Sequence, residues 1–251
     1  MVKPLISIIT CTYNSEEFLS ECIRSIQSQD FVDYEHIVID GHSRDSTLSM
    51  IPASSRIYSQ TPAGISAAMN EGISHARGEY IYFLHSDDAF YDSHVLSSVA
   101  NYMTTHSELD WVYGQIQVVE ADKTVIGVFP KYKIFQGRHP WLLKYYNYIP
   151  HQGTFVKKSI FAKYGEFDTS LSSAMDPDLW LRIGQTTAWD YMPICVASFR
   201  VHRGSQSSSI AKRGENMSEY GRVQVRYLSR LELIIARYLQ TFLRKWNKTL
   251  R

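Results

Sequence analysis

The sequence predicts an α/β fold, a mainly parallel sheet flanked by helices, and three observations carry that prediction. In the first hundred residues short β-rich runs alternate with amphipathic helical patterns, the order that a parallel sheet with crossover helices requires. Polar clusters follow directly on the ends of these runs, and the carboxyl ends of strands are where open α/β sheets bind their ligands. With 251 residues, of which 44% are hydrophobic, the chain can bury one large core and carry an appendage.

Residues 5–10 and 35–40 read as the first two strands. Between them Phe18, Leu19, Cys22, Ile23 and Ile26 recur at helical spacing, behind Asn14-x-x-Glu17, a pattern expected to cap the helix start. A shorter strand over 56–59 and a helix over 65–76 lead into the apolar run 80–84, and His85-Ser86-Asp87-Asp88 follows at once. A helix over 95–106 precedes two strands, 111–119 and 124–129, joined by a turn at Ala121-Asp122-Lys123. Residues 138–150 lack a period and read as loop with short helix. Pro177 suits the first turn of a helix starting near Asp176, and 191–201 reads as a further strand. Gly204, Gly214 and four serines make residues 203–215 a candidate flexible loop and boundary, with 206–217 separating the main domain from the tail.

From Ser218 to Arg251 a single amphipathic helix is expected. Val223, Tyr227, Leu231, Ile234, Ile235, Tyr238, Leu239, Phe242 and Trp246 form its apolar stripe. Arg222, Arg226, Arg230, Arg237, Arg244, Lys245, Lys248 and Arg251 are opposed there only by Glu219 and Glu232. A basic amphipathic helix with aromatic residues suits a membrane surface. The same stripe would equally serve packing on the main domain or on a second subunit.

Charge and cysteine content narrow the class. The formal net charge is +1 and the basic residues outside the tail are scattered, so no nucleic-acid partner is expected. Cys11, Cys22 and Cys195 are odd in number and lack the paired spacing of a zinc site or a disulfide framework. A cytoplasmic location fits them, with the inner face of the cell membrane as a peripheral site for the tail. Residues 5–9 are too short an apolar run for a signal-peptide core, and no window reaches the roughly 20 apolar residues of a spanning helix.

Four polar constellations carry the chemistry. Asp87-Asp88 offers carboxylate oxygens to a hard divalent cation that bridges to substrate phosphates; an ordinary turn uses the same residues. Asp40, Ser43 and Asp45 follow the second strand, where a carboxylate can accept hydrogen bonds from a base or ribose, or where Ser43 and Asp45 can make an Asx turn and a helix cap. Asp176 and Asp178 lie at a helix start, which favours the anion and suits a general base only if another factor keeps it basic. N-capping explains one of these two aspartates, not both. His202-Arg203-Gly204-Ser205-Gln206-Ser207 ends the last strand with an imidazole that can ligate a metal and a guanidinium that can hold a phosphate; a single His at a strand end serves equally as an ordinary polar residue.

In this order the clusters resemble a family 2 glycosyltransferase with the GT-A fold, over about residues 4–205. The resemblance rests on Ser7-Ile8-Ile9-Thr10-Cys11-Thr12-Tyr13-Asn14, on Val38-Ile39-Asp40-Gly41-His42-Ser43-Arg44-Asp45-Ser46-Thr47, and on Gly64-Ile65 through Asn70-Glu71-Gly72. It continues through Ala76-Arg77-Gly78-Glu79-Tyr80-Ile81, Leu84-His85-Ser86-Asp87-Asp88 and Met175-Asp176-Pro177-Asp178-Leu179-Trp180 to the His202 loop. It implies a catalytic domain over 1–205 that takes a nucleoside diphosphate sugar. Thr12, Tyr13, Asp40, Asp45 and Asp87 would hold the donor, and Asp87, Asp88 and His202 a Mn²⁺ or Mg²⁺ ion. Asp176 would be the catalytic base, with His151, Gln152 and Asp178 on the acceptor side. The implied reaction is a single displacement that inverts the anomeric carbon, the acceptor being a lipid-linked or growing glycan of a bacterial surface polysaccharide. His85 stands where the family usually has Asp or Asn, which bears on metal affinity, and Met175 where a Glu often precedes the base.

Two rivals share the pattern: a nucleotidyltransferase, which would release pyrophosphate, and a degenerate sugar-nucleotide-binding module. An NAD-dependent oxidoreductase is excluded, because residues 10–15 contain no glycine for a phosphate-binding turn.

Overall fold

The computed structural model describes residues 3–202 and 210–249, the side chains of 210–217 and 244–249 excepted. Its strands are β1 (Ile6–Thr12), β2 (Tyr34–Asp40), β3 (Arg56–Ser59), β4 (Tyr80–Phe83), β5 (Ala89–Phe90), β6 (Trp111–Glu120), β7 (Val125–Phe129), β8 (Thr154–Lys157) and β9 (Trp189–Val201). They form one sheet in the order β3-β2-β1-β4-β8-β6-β9-β5, with β7 added against β6. The first four are mutually parallel, as their runs predict. β6 and β9 run in the same direction as these four, in keeping with a mainly parallel sheet, and β5, β7 and β8 run against them. β8 runs antiparallel to both β4 and β6, while β9 is parallel to β6. The direction of the strands thus leaves the carboxyl ends of β1, β2, β4, β6 and β9 on one edge, and brings the start of β8 to it.

The helices are α1 (Leu19–Gln27), α2 (Thr47–Met50), α3 (Ile65–His75), α4 (Val95–Thr105), α5 (Pro140–Tyr145), α6 (Lys158–Tyr164), α7 (Met175–Ile183), α8 (Ile210–Tyr227) and α9 (Arg230–Thr249). Successive strand residues point to opposite faces, so Ile8 joins α1 and α4 in one core layer and Ile9 joins α3, α5, α6 and α7 in the other. This two-sided burial is why the strands read as continuous apolar runs. α3 lies close on β1: a Cβ on Gly72 would stand 2.4 Å from Ile9, a distance no side chain tolerates. In the second half Trp111 stacks between Trp180 and Trp189, with ring centroids 5.2 and 4.6 Å away.

Three local expectations are corrected. Asn14 does not cap α1; it has φ 49 and its side-chain Oδ1 accepts the Arg44 amide at 2.9 Å, tying two loops together. The loop placed at 206–217 is already α8 from Ile210 onward, because the single Gly214 costs a helix only about 1 kcal/mol; residues 203–209 lie outside the described residues. The single tail helix is two. Ser229 separates them by a capping box, its amide donating to Glu232 at 2.8 Å and the Glu232 amide donating back to its hydroxyl at 3.4 Å.

Candidate functional site

At the shared edge the ends of β1 and β2 are joined by a closed set of hydrogen bonds. Asp40 is fully buried. Its Oδ1 accepts the hydroxyls of Thr12 at 2.9 Å and Ser43 at 2.6 Å, and its Oδ2 accepts the Ser43 amide at 2.9 Å. Asp45 bridges the same two loops, accepting the amides of Glu16 at 3.1 Å and Thr47 at 3.0 Å. These bonds hold its carboxyl below the usual range against the opposing effect of burial. Both aspartates therefore organise the loops. Tyr13 stands beside them, 62% exposed, an open ring face at the strand ends.

The ends of β4 and β9 meet next. Asp87 Oδ2 lies 3.0 Å from His202 Nε2, and the imidazole also packs on Phe18 at 4.8 Å. Asp88, expected as a third metal ligand, is turned into the protein instead. It is 1% exposed, and its Oδ1 accepts the Arg200 amide at 2.8 Å. Burial, and then the Asp87 charge, push its carboxyl well above the usual range, so it locks the turn to β9. Arg200 completes the lock: its Nε donates to the Asp87 carbonyl at 3.0 Å and its Nη2 pairs with Glu21 at 2.9 Å. Among the described residues no three His, Cys, Asp or Glu side chains converge. One carboxylate and one imidazole fit a divalent ion that takes its other ligands from substrate phosphates and water.

His151 enters from the segment ahead of β8. It is stacked over His85 at 5.3 Å and Phe83 at 5.4 Å, with both ring nitrogens buried and unpartnered. Burial, then the neighbouring His85, lowers its pKa to about 3, so it is a buried, neutral ring. Gln152 beside it is half-buried, and its carbonyl accepts the Tyr82 hydroxyl at 2.8 Å.

The segment before α7 reaches the same edge through Phe167, which packs edge-on against Phe83 at 5.5 Å and His151 at 5.9 Å, and through Ser66, whose hydroxyl donates to the Leu171 carbonyl at 3.1 Å. Asp176 follows in the first turn of α7. It is partly exposed, forms no ion pair among the described residues, and is raised by burial to about 7. Asp178, expected on the acceptor side, faces the other way. It is 2% exposed and binds Arg182 at 3.0 Å, the Tyr227 hydroxyl at 2.9 Å and Arg226 at 3.3 Å.

Sequence reasoning missed Glu219. From α8 it accepts the amides of Ser172, Ser173 and Ala174 at 3.1, 2.7 and 2.8 Å, closing the turn that delivers Asp176. No local pattern marks it, because its partners lie more than forty residues back in the chain.

Comparison with known proteins follows this geometry. A family profile described as "Glycosyl transferase family 2" matches residues 7–165. A PGL/p-HBAD biosynthesis glycosyltransferase of Mycobacterium tuberculosis is 28% identical over 221 residues, covering 84% of this chain and 83% of that protein. An uncharacterized glycosyltransferase of the same species is 30% identical over 191 residues, covering 71% of this chain and 68% of that protein. Among solved structures, Staphylococcus aureus TarS 1–349 in complex with UDP-GlcNAc has a TM-score of 0.68 at 18% identity, covering 87% of this chain and 65% of that one. A mannosyltransferase from Pyrobaculum calidifontis in complex with GDP-Man and Mn²⁺ has a TM-score of 0.69 at 17% identity, covering 91% and 66%. The chain thus spans about two thirds of the length of these solved chains.

Proposed function

The chain belongs to glycosyl transferase family 2 and has the GT-A fold, and from that premise we propose a metal-dependent, inverting transfer of a sugar from a nucleoside diphosphate donor to an acceptor hydroxyl. One observation carries the reading: Asp87 and His202, from beyond the ends of two strands far apart in sequence, meet at 3.0 Å. The Thr12–Asp40–Ser43 hydrogen bonds preshape the nucleoside end, with Tyr13 and Asp45 flanking it. Asp87 and His202 would hold Mn²⁺ or Mg²⁺, which supplies charge neutralisation for a departing nucleoside diphosphate. Asp176 accepts the proton of the acceptor hydroxyl, and a carboxyl raised toward 7 is matched to that task. A single displacement needs no carboxylate nucleophile.

Relatives support the donor class: the Staphylococcus aureus structure holds UDP-GlcNAc and the Pyrobaculum enzyme GDP-Man with Mn²⁺. A lipid-linked or growing glycan as acceptor, and work at the cytoplasmic face of a membrane, complete the proposal. Relatives named for PGL/p-HBAD and O-antigen biosynthesis support the acceptor class. No helix among the described residues is long and apolar enough to cross a membrane.

The test is chelation. Transfer should stop when the metal is stripped and return with Mn²⁺ or Mg²⁺, and Asp87→Ala should weaken metal and donor binding together. Full turnover by metal-free enzyme would refute metal dependence. Pyrophosphate release from a nucleoside triphosphate would point to a nucleotidyltransferase, and donor binding without turnover to a degenerate module.

A further inference from the structure

α9 has two apolar faces, one packed on the main domain and one largely exposed among the described residues. Ala236 and Leu243 are buried against the main domain, Lys144 pairs with Glu232, and the Gln240 side chain donates to the Tyr145 carbonyl at 3.0 Å. About a third of a turn around the helix, Leu231, Ile234, Ile235, Tyr238 and Phe242 recur at i, i+3, i+4, i+7 and i+11 and are 68, 55, 43, 75 and 64% exposed. The stripe expected from the sequence is therefore divided: Val223 and Leu239 pack inward, and these five residues face out. Arg230 and Arg237 border the open face on its far side, and Arg244 and Lys248 continue the same spacing in the sequence. Glu232, the sole acidic residue of α9, is tied to Lys144 and Ser229.

We propose that this face of α9 docks on the headgroup layer of an anionic lipid bilayer. A contiguous apolar stripe on a soluble surface marks an interaction site, and one bordered by arginines and bearing Tyr238 and Phe242 matches an interface whose interior is apolar and whose surface is negative. A second copy of the chain is the poorer occupant, because antiparallel twofold pairing of α9 through this face would set one arginine row beside the other. α9 carries five basic residues against one acidic, whereas the whole chain carries only +1, so the attraction is local to this surface. The docking deepens the membrane part of the proposed function by giving it a contact surface, and it holds whichever sugar or acceptor the cleft takes.

The experiment is sedimentation of the full chain with vesicles of phosphatidylglycerol and phosphatidylcholine, or of phosphatidylcholine alone. The protein should pellet with the first and not the second, and be released by high salt. Ile234→Ser with Tyr238→Ser should lower partition on the order of tenfold or more. Arg230→Ala and Arg237→Ala should each lower it about fivefold. Thermal stabilisation by a nucleoside diphosphate sugar, unchanged in all these variants, would show them folded and separate failure here from failure of the transfer reading. Absence of sedimentation, equal sedimentation of wild type and the serine pair, or a solution dimer that the serine pair dissolves would overturn the proposal.

Discussion

Asp176 lies in the first turn of α7, where backbone amides favour the anion, yet burial outweighs them and raises its carboxyl to about 7. Turnover should therefore rise with pH through about 7, as the base loses its proton. Stability runs the opposite way. The folded pKa exceeds the ordinary 3.8, so the folded state binds the proton more tightly and stability falls as pH rises from about 4 to about 7. Asp176→Asn should lower turnover roughly 10²–10⁴-fold with donor binding little changed, and at pH 8 it should be more stable than wild type by about 1–2 kcal/mol, allowing for the solvent that reaches the group. Steady-state kinetics and melting curves across pH read both effects. Asp178→Asn separates the two aspartates: it breaks the Arg182, Arg226 and Tyr227 contacts and should cost about 1–3 kcal/mol of stability, with a much smaller loss of turnover per folded molecule. Asp40, Asp87, Asp176 and His202 were legible as candidates because each follows a strand end or starts a helix. The inward turns of Asp88 and Asp178 were not, since their partners arrive 112 and 49 residues later in the chain.

At the scale of elements, one carboxylate of α8 closes the turn that leads into α7. Glu219 is 6% exposed; burial alone would raise its carboxyl, but hydrogen bonds from Ser172, Ser173 and Ala174 outweigh it and hold it near 2. That contribution is full above the ordinary 4.5 and is lost as pH falls toward 2. Glu219→Ala should lower stability by roughly 2–3 kcal/mol and reduce kcat by loosening the approach of Asp176, while the affinity for donor stays near wild type; denaturant melts and a kcat-against-KM comparison check this. The parallel strands could be read from sequence because burial on both faces writes uninterrupted apolar runs. β8 could not, being four residues without a period, and its antiparallel course is what makes the second half of the sheet mixed. The break between α8 and α9 was written in Ser229-x-x-Glu232, a cap signature overshadowed by apolar periodicity that continues through it.

Across the whole molecule, strand direction assembles the proposed site: the loops after β1 and β2, proposed to hold the nucleoside, and the Asp87–His202 pair from beyond β4 and β9, with the proposed base Asp176 on the turn that α8 closes. A donor that binds only this folded arrangement should stabilise it by about 2.7 kcal/mol at a hundredfold excess over Kd, with Mn²⁺ present and much less without it. The family signature was legible as an ordered set of blocks, none decisive alone, whereas the second apolar face of α9 emerges only once packing shows which residues the main domain covers. The most direct measurement is nucleoside diphosphate release from a panel of donor sugars by wild type, Asp87→Ala and Asp176→Asn, each with Mn²⁺ and after chelation. The account predicts release by wild type only with metal, loss of both donor stabilisation and release in Asp87→Ala, and loss of release alone in Asp176→Asn. Wild-type rates from Asp176→Asn, or from enzyme freed of metal, would contradict it.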